Sequence, residues 1–259
     1  MATLKIRLAN SASTSTLSPN LPKIYKIKDN QSYEISLVKS KEISEKGKKA
    51  IYKLFDENMS KLQQISSFPY TEESKFEELF NIDSRYILIL KKSNKLIIEK
   101  EKEKEKGKDE KKENDEIEEL INFNYNDLIG FCGFRFDTEE TIESRDAEVI
   151  YCYEVQLENK SRRMGLGKIL LNILEEIGKK RELDKIMLTC LKSNETALAF
   201  YTKQGYIPDE IDPTGMEEES SDIEEGQDED GQDEDEDEDT FEWKVDYRIL
   251  SKSLKDINT

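Results

Sequence analysis

The chain has 259 residues and contains no histidine, and this absence excludes several kinds of catalytic site. A Ser-His-Asp triad, a Cys-His dyad and an imidazole general base all require histidine, and most catalytic zinc sites use it as a ligand. We therefore expect a site without metal. Without histidine, a carboxylate that acts through a water molecule is a plausible general base.

The chain also has few cysteines and no long apolar run. Its three cysteines, Cys132, Cys152 and Cys190, lie in apolar, strand-like runs. Their spacing fits no zinc motif, and an odd number argues against a disulfide framework, so we expect a reducing, intracellular compartment. No apolar run approaches the roughly 18 residues that a membrane span requires, and we expect no contact with a membrane.

Charge is unevenly distributed along the chain. The net charge is −18, but residues 217–239 alone hold 16 acidic residues and no basic residue. The 42 acidic and 40 basic residues elsewhere leave a net charge of −2. A second run, residues 99–119, consists almost wholly of Glu, Lys and Asp. Neither segment can bury a core, so we predict two charged, disordered insertions, at 99–119 and 215–240.

Hydrophobic periodicity predicts one α/β domain over residues 39–259, after a polar, low-complexity arm at residues 1–38. A weak organellar presequence is the alternative for this arm. Predicted helices cover 44–66, 71–80, 165–180 and 194–204. Predicted strands cover 86–90, 95–98, 128–137, 147–157, 185–191 and 241–251, the first two joined by a turn at Ser93 and Asn94. This order indicates a mixed central β-sheet flanked by helices.

A glycine-rich turn follows the strand that ends at Leu157. It reads Arg162-Arg163-Met164-Gly165-Leu166-Gly167-Lys168 and opens a helix. Such a turn offers free backbone N–H groups at the positive end of a helix dipole, where a pyrophosphate can bind. The spacing does not fit a Walker A loop, and a dinucleotide fingerprint would need a third glycine. On the glycines alone, a plain strand-turn-helix connection is an equally good interpretation.

The residues around this turn make its interpretation more specific. They include Tyr-Cys-Tyr-Glu-Val-Gln-Leu at 151–157, Met187-Leu188-Thr189 with Asn194, Phe134-Arg135-Phe136-Asp137, and Tyr247-Arg248-Ile249-Leu250-Ser251. With the turn, they resemble the GNAT acyltransferases. Within that superfamily they are most similar to the N-terminal acetyltransferases of type D, which are histone-specific N-α-acetyltransferases. The similarity runs from about residue 43 to residue 252 and leaves out the two charged insertions.

The resemblance implies a GNAT fold with acetyl-CoA as cosubstrate. Strand residues would bind the pantetheine arm through backbone hydrogen bonds, because an extended amide-bearing arm can add to an exposed strand edge. The turn would hold the pyrophosphate, and Asn194 would lie near the thioester. The implied cofactor-binding residues are Val155, Gln156, Leu157, Arg162, Arg163, Met164, Gly165, Leu166, Gly167, Lys168 and Asn194.

The predicted catalytic residues are Glu154, Tyr153 and Tyr201. Glu154 is the candidate general base; since a free glutamate has a pKa of about 4.3, partial burial beside Tyr151 and Tyr153 would help to raise it. By the resemblance, Tyr201 would protonate the departing CoA thiolate. Without the motif, a salt-bridged strand residue would be the better interpretation of Glu154.

The resemblance also implies the substrate, namely histone tails that begin Ser-Gly-Arg-Gly, as in histones four and two-A. The matching substrate-binding positions are Asp137, Tyr151, Tyr153, Thr189 and Tyr247. Asp137 could pair with the arginine of the tail. The alternatives are a strand-end cap for Asp137 and packing at a sheet edge for the tyrosines.

The sequence departs from the family in two places. Phe68 stands where a tryptophan is expected, and Gln63 stands where a tyrosine is expected. The acidic insertion precedes Tyr247, where the family has a shorter loop; it could attract a basic tail or act as a solvated spacer.

We expect a monomer in the nucleus and cytoplasm that does not bind nucleic acid directly. Two rival functions stay open: acetylation of lysine side chains or other N-termini, and non-catalytic binding of histones.

Overall fold

The structure is a computed structural model, which describes residues 2–18, 20–22, 24–26, 32–92, 97–100, 119–142, 145–214 and 245–255. Its helices are α1 (Leu4–Ser11), α2 (Thr14–Leu17), α3 (Glu45–Gln64), α4 (Glu72–Leu79), α5 (Leu166–Lys180) and α6 (Glu195–Lys203). Its strands are β1 (Ile24–Lys26), β2 (Ser32–Lys39), β3 (Arg85–Lys91), β4 (Ile97–Lys100), β5 (Glu119–Asn122), β6 (Leu128–Glu139), β7 (Ala147–Leu157), β8 (Lys185–Leu191), β9 (Ile207–Pro208) and β10 (Tyr247–Ser253).

Eight of these strands form one mixed sheet in the order β1-β2-β3-β6-β7-β8-β10-β9. Its neighbours are antiparallel except for β7 and β8, which are parallel. Helices α1, α2, α5 and α6 pack against one face of the sheet, and α3 and α4 pack against the other. This architecture confirms the predicted α/β GNAT fold with a mixed sheet flanked by helices.

Short polar side chains cap three of the predicted helices. The Ser44 hydroxyl accepts from the Gly47 N–H at the start of α3. Thr71 and Ser74 bond reciprocally at the start of α4. Asn194 caps α6, which is followed by Gly205 at a φ of 86°. Each cap satisfies backbone groups that a helix end leaves without an intrahelical partner, so the sequence sets these boundaries locally.

The N-terminal residues differ from the polar arm expected at residues 1–38. Ile6, Ala9 and Leu17 are each at most 1% exposed and belong to the main core, and β1 and β2 extend the sheet. The hydroxyls of Thr3 and Ser13 cap α1 and α2, although serine and threonine had indicated a disordered segment. The hydrophobic pattern that would predict these two short helices is weak, because they bury only three side chains between them.

The predicted hairpin between strands 86–90 and 95–98 is wrong. β3 lies between β2 and β6, whereas β4 pairs with β5. Six consecutive buried residues in β3 are typical of a central strand with neighbours on both sides. The expected insertion at 99–119 is therefore shorter, because its ends belong to β4 and β5.

Several predicted features lie outside the described residues. These are the turn at Ser93 and Asn94, the charged run 101–118, the acidic insertion 215–240 and the start of the last strand at 241–244. The disorder predicted for the insertions stays a prediction. Among the described residues, no helix has the length and apolar character needed to cross a membrane.

Asp184 joins the first residues of β7 and β8 to the end of β10. Its carboxylate accepts from the Arg145 guanidinium at 2.8 Å and from the Glu148 backbone N–H at 2.8 Å. Lys255 Nζ lies 2.6 Å from the other carboxylate oxygen. Burial alone would raise the pKa of Asp184, but these donors outweigh it and hold the pKa well below its usual value. The folded state therefore favours ionised Asp184.

We expect Asp184→Asn to lower the free energy of unfolding at pH 7 by on the order of 1–3 kcal/mol, as for charged hydrogen bonds. Because the folded pKa is depressed, this stabilisation is present above the unfolded pKa of about 3.9 and is lost as the pH falls through the folded value. The difference in the free energy of unfolding between parent and variant, measured by urea unfolding, should therefore be smaller at pH 3 than at pH 7. Glu45→Gln, which breaks an exposed ion pair with Lys48, is the control and should change stability little. A pH-independent difference for Asp184→Asn would contradict this account.

Candidate active site

β7 and β8 are paired over only part of their length. Their parallel register covers Val149, Ile150 and Tyr151 of β7. In the described part of the chain, β7 has no strand partner on this side from Cys152 to Leu157, while its other side stays paired with β6. The sheet thus has an open edge in its middle, where an extended ligand with amide groups can add as a further strand.

A β-bulge in β7 sets the side-chain directions at this edge. Glu154 lies opposite Gly133 and Cys152 lies opposite Phe134, so that Tyr153 is the extra residue. A bulge interrupts the alternation of side chains between the two faces. As a result, the consecutive residues Tyr153 and Glu154 line the same pocket.

Glu154 is 8% exposed and has two side-chain partners. Its Oε1 lies 3.0 Å from Lys75 Nζ, and its Oε2 accepts from Gln156 Nε2 at 2.8 Å. Burial raises the pKa of Glu154 above its ordinary value, although Lys75 and Gln156 act in the opposite direction. Glu154 is thus salt-bridged, as one interpretation of the sequence held, and is also a pocket carboxylate whose raised pKa suits a general base.

Sequence reasoning missed Lys75. It lies within the helix correctly predicted over 71–80, but the helical period alone does not show which side chain reaches β7. Its side chain is 8% exposed, and Nζ also lies 2.8 Å from Glu78 and 4.6 Å from the centroid of the Phe55 ring. A lysine at a buried position of an amphipathic helix could have been a signal, since lysine is rarely buried without a partner.

Tyr151 and Tyr153 lie side by side, with ring centroids 5.0 Å apart. The Tyr151 and Thr189 hydroxyls are 2.5 Å apart and join β7 to β8. The Arg135 guanidinium lies 4.3 Å from the centroid of the Tyr153 ring. Burial raises the pKa of Tyr151 to about 12 and also raises that of Tyr153. Both phenols therefore stay protonated at neutral pH and can donate hydrogen bonds.

Asp137 lies near this pair but does not contact it through a hydrogen bond. It is opposite Val149 in the β6–β7 register and shares a face with Tyr151, since residues directly opposite point to the same side. Its exposed carboxylate accepts from the backbone N–H of Thr138. β6 continues to Glu139, so Asp137 does not cap the end of the strand as one interpretation held, and its exposure leaves the carboxylate available to a cationic ligand.

Tyr247 faces the loop between α3 and α4, where the sequence departs from the family pattern. Its ring makes an edge contact with Phe68, with centroids 5.2 Å apart. The neighbouring Asp246 carboxylate accepts from the Ser67 N–H at 2.7 Å and from the Ser67 hydroxyl at 2.6 Å. The substitution of phenylalanine for the expected tryptophan thus preserves an aromatic contact between the loop and β10.

The turn before α5 is an open helix N-terminus. Gly165 is the N-cap with a φ of 84°, a left-handed conformation that favours glycine, and it supplies no side-chain cap. The N–H groups of residues 166–168 have no intrahelical partner. The side chains of Arg162, Arg163 and Lys168 are exposed around them. Three cations and a bare helix N-terminus fit a pyrophosphate.

The remaining turn residues contribute through their backbone and their packing. Met164 and Leu166 pack against the main core, so their side chains do not point to an anion. A Cβ at Gly167 would lie 3.1 Å from Cζ of Phe200, and glycine there allows α5 and α6 to approach closely. The second glycine of the motif therefore serves helix packing, and the first serves the turn.

Asn58 of α3 is another residue that sequence reasoning missed. Its Nδ2 donates to Gln156 Oε1 at 2.9 Å and to the Leu157 carbonyl at 3.1 Å. Its Oδ1 accepts from Arg162 Nη2 at 2.6 Å. Asn58 thus fixes the end of the predicted pantetheine-binding strand (Val155 to Leu157) to the first arginine of the turn. Asn58 lies beside the apolar face of α3 and belongs to no recognisable motif, so the sequence does not indicate its contacts with β7 and the turn.

Tyr201 and Asn194 come from the opposite face of the sheet. Asn194 caps α6, and its Oδ1 accepts from the Ala197 N–H at 3.3 Å. Tyr201 packs in the main core with Cys152 and Cys190. Burial raises the pKa of Tyr201 well above its ordinary value, so the phenol is protonated at neutral pH. The buried carboxylate of Glu154 thus lies on the α4 side of the sheet, and the phenol of Tyr201 lies in the core on the α6 side.

Comparison with known proteins agrees with this arrangement. The profile of the Acetyltransferase (GNAT) family matches residues 49–206, which is more than half of the chain. The chain therefore belongs to the GNAT acetyltransferase family, an enzyme family whose fold binds acetyl-CoA. The open helix N-terminus and the unpaired edge of β7 provide suitable positions for its pyrophosphate and pantetheine arm.

Individual relatives are more distant or match over a shorter stretch. The chain is 35% identical over 77 residues to the uncharacterized protein YdhI of Bacillus subtilis (strain 168), a match that covers 30% of this chain and 45% of YdhI. A GNAT acetyltransferase from Staphylococcus aureus Mu50 is 12% identical, with a TM-score of 0.44 over 85% of this chain and 99% of that chain. The PaiA N-acetyltransferase of Thermoplasma acidophilum, solved with coenzyme A, is 15% identical, with a TM-score of 0.43 over 85% and 98% of the two chains.

We expect Gly165→Ala to weaken the binding of coenzyme A about tenfold. A methyl group at this left-handed position costs about 1–2 kcal/mol, which the turn can relieve by moving its N–H groups out of alignment. Gly205→Ala is the matched control, since Gly205 has a φ of 86° and lies at the far end of α6. Calorimetric titration with coenzyme A should separate the two variants. Equal dissociation constants for both would argue against a binding role for the turn.

Proposed function

We propose that this GNAT protein transfers acetyl from acetyl-CoA to the α-amine of histone N-termini that begin Ser-Gly-Arg-Gly, as in histones four and two-A. One observation carries the proposal: the bulge in β7 turns Tyr153 and Glu154 into one pocket at the point where β7 and β8 cease to pair. These residues belong to the run Tyr-Cys-Tyr-Glu, in which the chain is similar to the type D N-terminal acetyltransferases.

The reaction requires a base for the amine and an acid for the thiol. A terminal amine has a pKa of about 7.7–8.0 and must lose its proton before it attacks a carbonyl carbon. The neutral amine then attacks, and Glu154 accepts, directly or through a water molecule, the further proton that the nitrogen loses as it becomes an amide. The amine nitrogen bonds to the thioester carbonyl carbon, the carbon–sulfur bond breaks, and the departing thiolate takes the hydroxyl proton of Tyr201. Acetyl-CoA supplies the activated acetyl group, and the products are an amide and a free thiol.

The pocket chemistry suits a small, cationic N-terminus. Tyr151, Thr189 and Tyr153 offer hydroxyl groups to a substrate, and the two tyrosine rings would favour small first residues such as serine and glycine. The exposed Asp137 carboxylate would pair with the arginine of the tail. Tyr247 and Phe68 would form the opposite wall. We propose that the protein acts as a monomer in nucleus and cytoplasm, without direct contact to nucleic acid or membrane.

The first experiment compares two peptides that begin Ser-Gly-Arg-Gly-Lys, one with a free N-terminus and one already blocked. Purified protein and acetyl-CoA should add one acetyl group to the open peptide alone, as detected by intact mass, because only that peptide presents an α-amine. Modification of both would indicate a lysine acetyltransferase. Modification of neither, with binding that weakens steeply with salt and depends on residues 217–239, would favour a histone-binding role.

Direct transfer predicts that Cys152 is structural. Its thiol is 2% exposed and lies 3.7 Å from the Cys132 thiol, inside the main core. We therefore expect Cys152→Ala to keep its acetyl transfer activity within about threefold, apart from a loss of stability through the cavity. Initial rates at saturating acetyl-CoA, compared after confirmation of folding, test this. An acetyl group trapped on Cys152 of the parent protein, with an inactive variant, would establish a covalent route instead.

A further inference from the structure

Lys75 is the cation closest to the proposed base, and it comes from a different element. The ammonium lies 3.0 Å from Glu154 Oε1 and 2.8 Å from Glu78 Oε1. The Lys75 and Glu154 side chains are 8% and 9% exposed, whereas that of Glu78 is 44% exposed. A face of the Phe55 ring lies 4.6 Å from Nζ. The lysine is thus held between two carboxylates and an aromatic ring.

The cluster keeps Lys75 charged. Burial by itself would lower the pKa of the lysine, but the attraction of Glu154 and Glu78 outweighs burial and raises it. Burial has the largest effect on Glu154 and raises its pKa, while Lys75 opposes that rise. A buried carboxyl without a cation would take up a proton and lose its value as a base. Lys75 therefore opposes the effect of burial on Glu154.

No other described cation is placed to do this. The charged groups around Glu154 are Lys75 and Glu78 of α4 and Arg135 of β6. The neutral titratable groups are Tyr70, Tyr86, Tyr153, Tyr201 and the Cys132 thiol. Arg135 donates to the Ser84 hydroxyl and the Glu78 carbonyl and stacks on Tyr153. Among the described cations, Lys75 alone contacts the Glu154 carboxylate, whose other oxygen accepts from the neutral Gln156 amide.

We propose that Lys75 is a positioning residue of the transfer reaction, which holds the Glu154 carboxylate ionised and oriented in the pocket so that it can accept the proton of the substrate amine. The proposal rests on the proposed function, in which Glu154 is the base. Lys75 does not touch the reacting atoms and exchanges no proton in the cycle. Its contribution is to set the lowest pH at which Glu154 can act.

The experiment is a pH profile of kcat/KM from pH 5 to pH 9 with the open peptide. As the pH falls below the pKa of the substrate amine, log(kcat/KM) should decline with slope one. It should decline with slope two at the lower pH where Glu154 also takes up a proton. Lys75→Met keeps the volume and removes the charge, so the steepening should move to higher pH. We expect kcat/KM of the variant to be about tenfold lower than that of the parent at pH 6.5, since one pKa unit is a factor of ten, and nearly equal at pH 9.

Three further variants make the result specific. Lys75→Arg keeps the charge and should restore the parental profile. Lys48→Met is the matched control, because Lys48 also pairs with a glutamate three residues away and lies over an aromatic ring, Phe80; its profile should match the parent. Glu78→Gln removes the competing carboxylate at an exposed position and should move the steepening to lower pH. This last variant carries the test if Lys75→Met does not fold.

Defined results would overturn the proposal. An equal loss for Lys75→Met at every pH would show a structural role, and an unshifted profile for Lys75→Met or Glu78→Gln would show no role in the ionisation of Glu154. The failure of the proposed function has a different signature. In that case the parent itself would not acetylate the open peptide selectively, whatever the Lys75 variants do, while full activity of Glu154→Gln would show that Glu154 is not the base.

Discussion

The early end of the pairing between β7 and β8 is the constraint on which the site depends. Had the parallel register continued beyond Tyr151, the backbone groups of residues 152–157 would have bonded to β8, as strands inside a sheet normally do. The pairing with β6 continues to Leu157, so the strand stays rigid although one edge is free. The bulge at Tyr153 then turns two consecutive side chains to one face. An open edge, a paired strand and a bulge together place a buried carboxylate, two phenols and an unpaired strand edge within one region.

Arg85 has a comparable importance for the N-terminal part of the fold. Its guanidinium is 2% exposed, and one of its nitrogens donates to the carbonyls of Ala9, Asn10 and Ala12 at the end of α1. Burial lowers the pKa of Arg85, yet an arginine does not lose its proton in proteins, so the charge must be compensated in place. The negative end of the α1 dipole and three carbonyl groups supply that compensation. A short polar segment thereby becomes an integral layer of the domain.

The sequence was informative wherever the determining interactions are local. Periodicity predicted α3 to α6 within one or two residues, and the motif run indicated Tyr153 and Glu154 on β7 and the glycine turn before α5, where the structure has them. Non-local contacts were not predictable in this way. The α1 segment depends on Arg85 from another strand, and the partner of β4 lies beyond a long charged run. Asn58 lies on α3 and Lys75 lies on α4. A helical period shows which face of a helix is buried, but it does not show which residues that face contacts.

A site without histidine must solve one electrostatic problem in a different way. Imidazole titrates near neutral pH without help, whereas a solvated carboxylate is ionised but too weak a base. Burial strengthens the carboxylate, and complete burial without a cation would leave it protonated. Glu154 lies between these limits, because it is buried and Lys75 opposes the protonation that burial favours. The exposed Glu78 also pairs with the Lys75 ammonium and competes with Glu154 for it. The protonation of Glu154 therefore depends on all three groups. This protonation is thus a property of how α4 packs on β7 and does not depend on one residue.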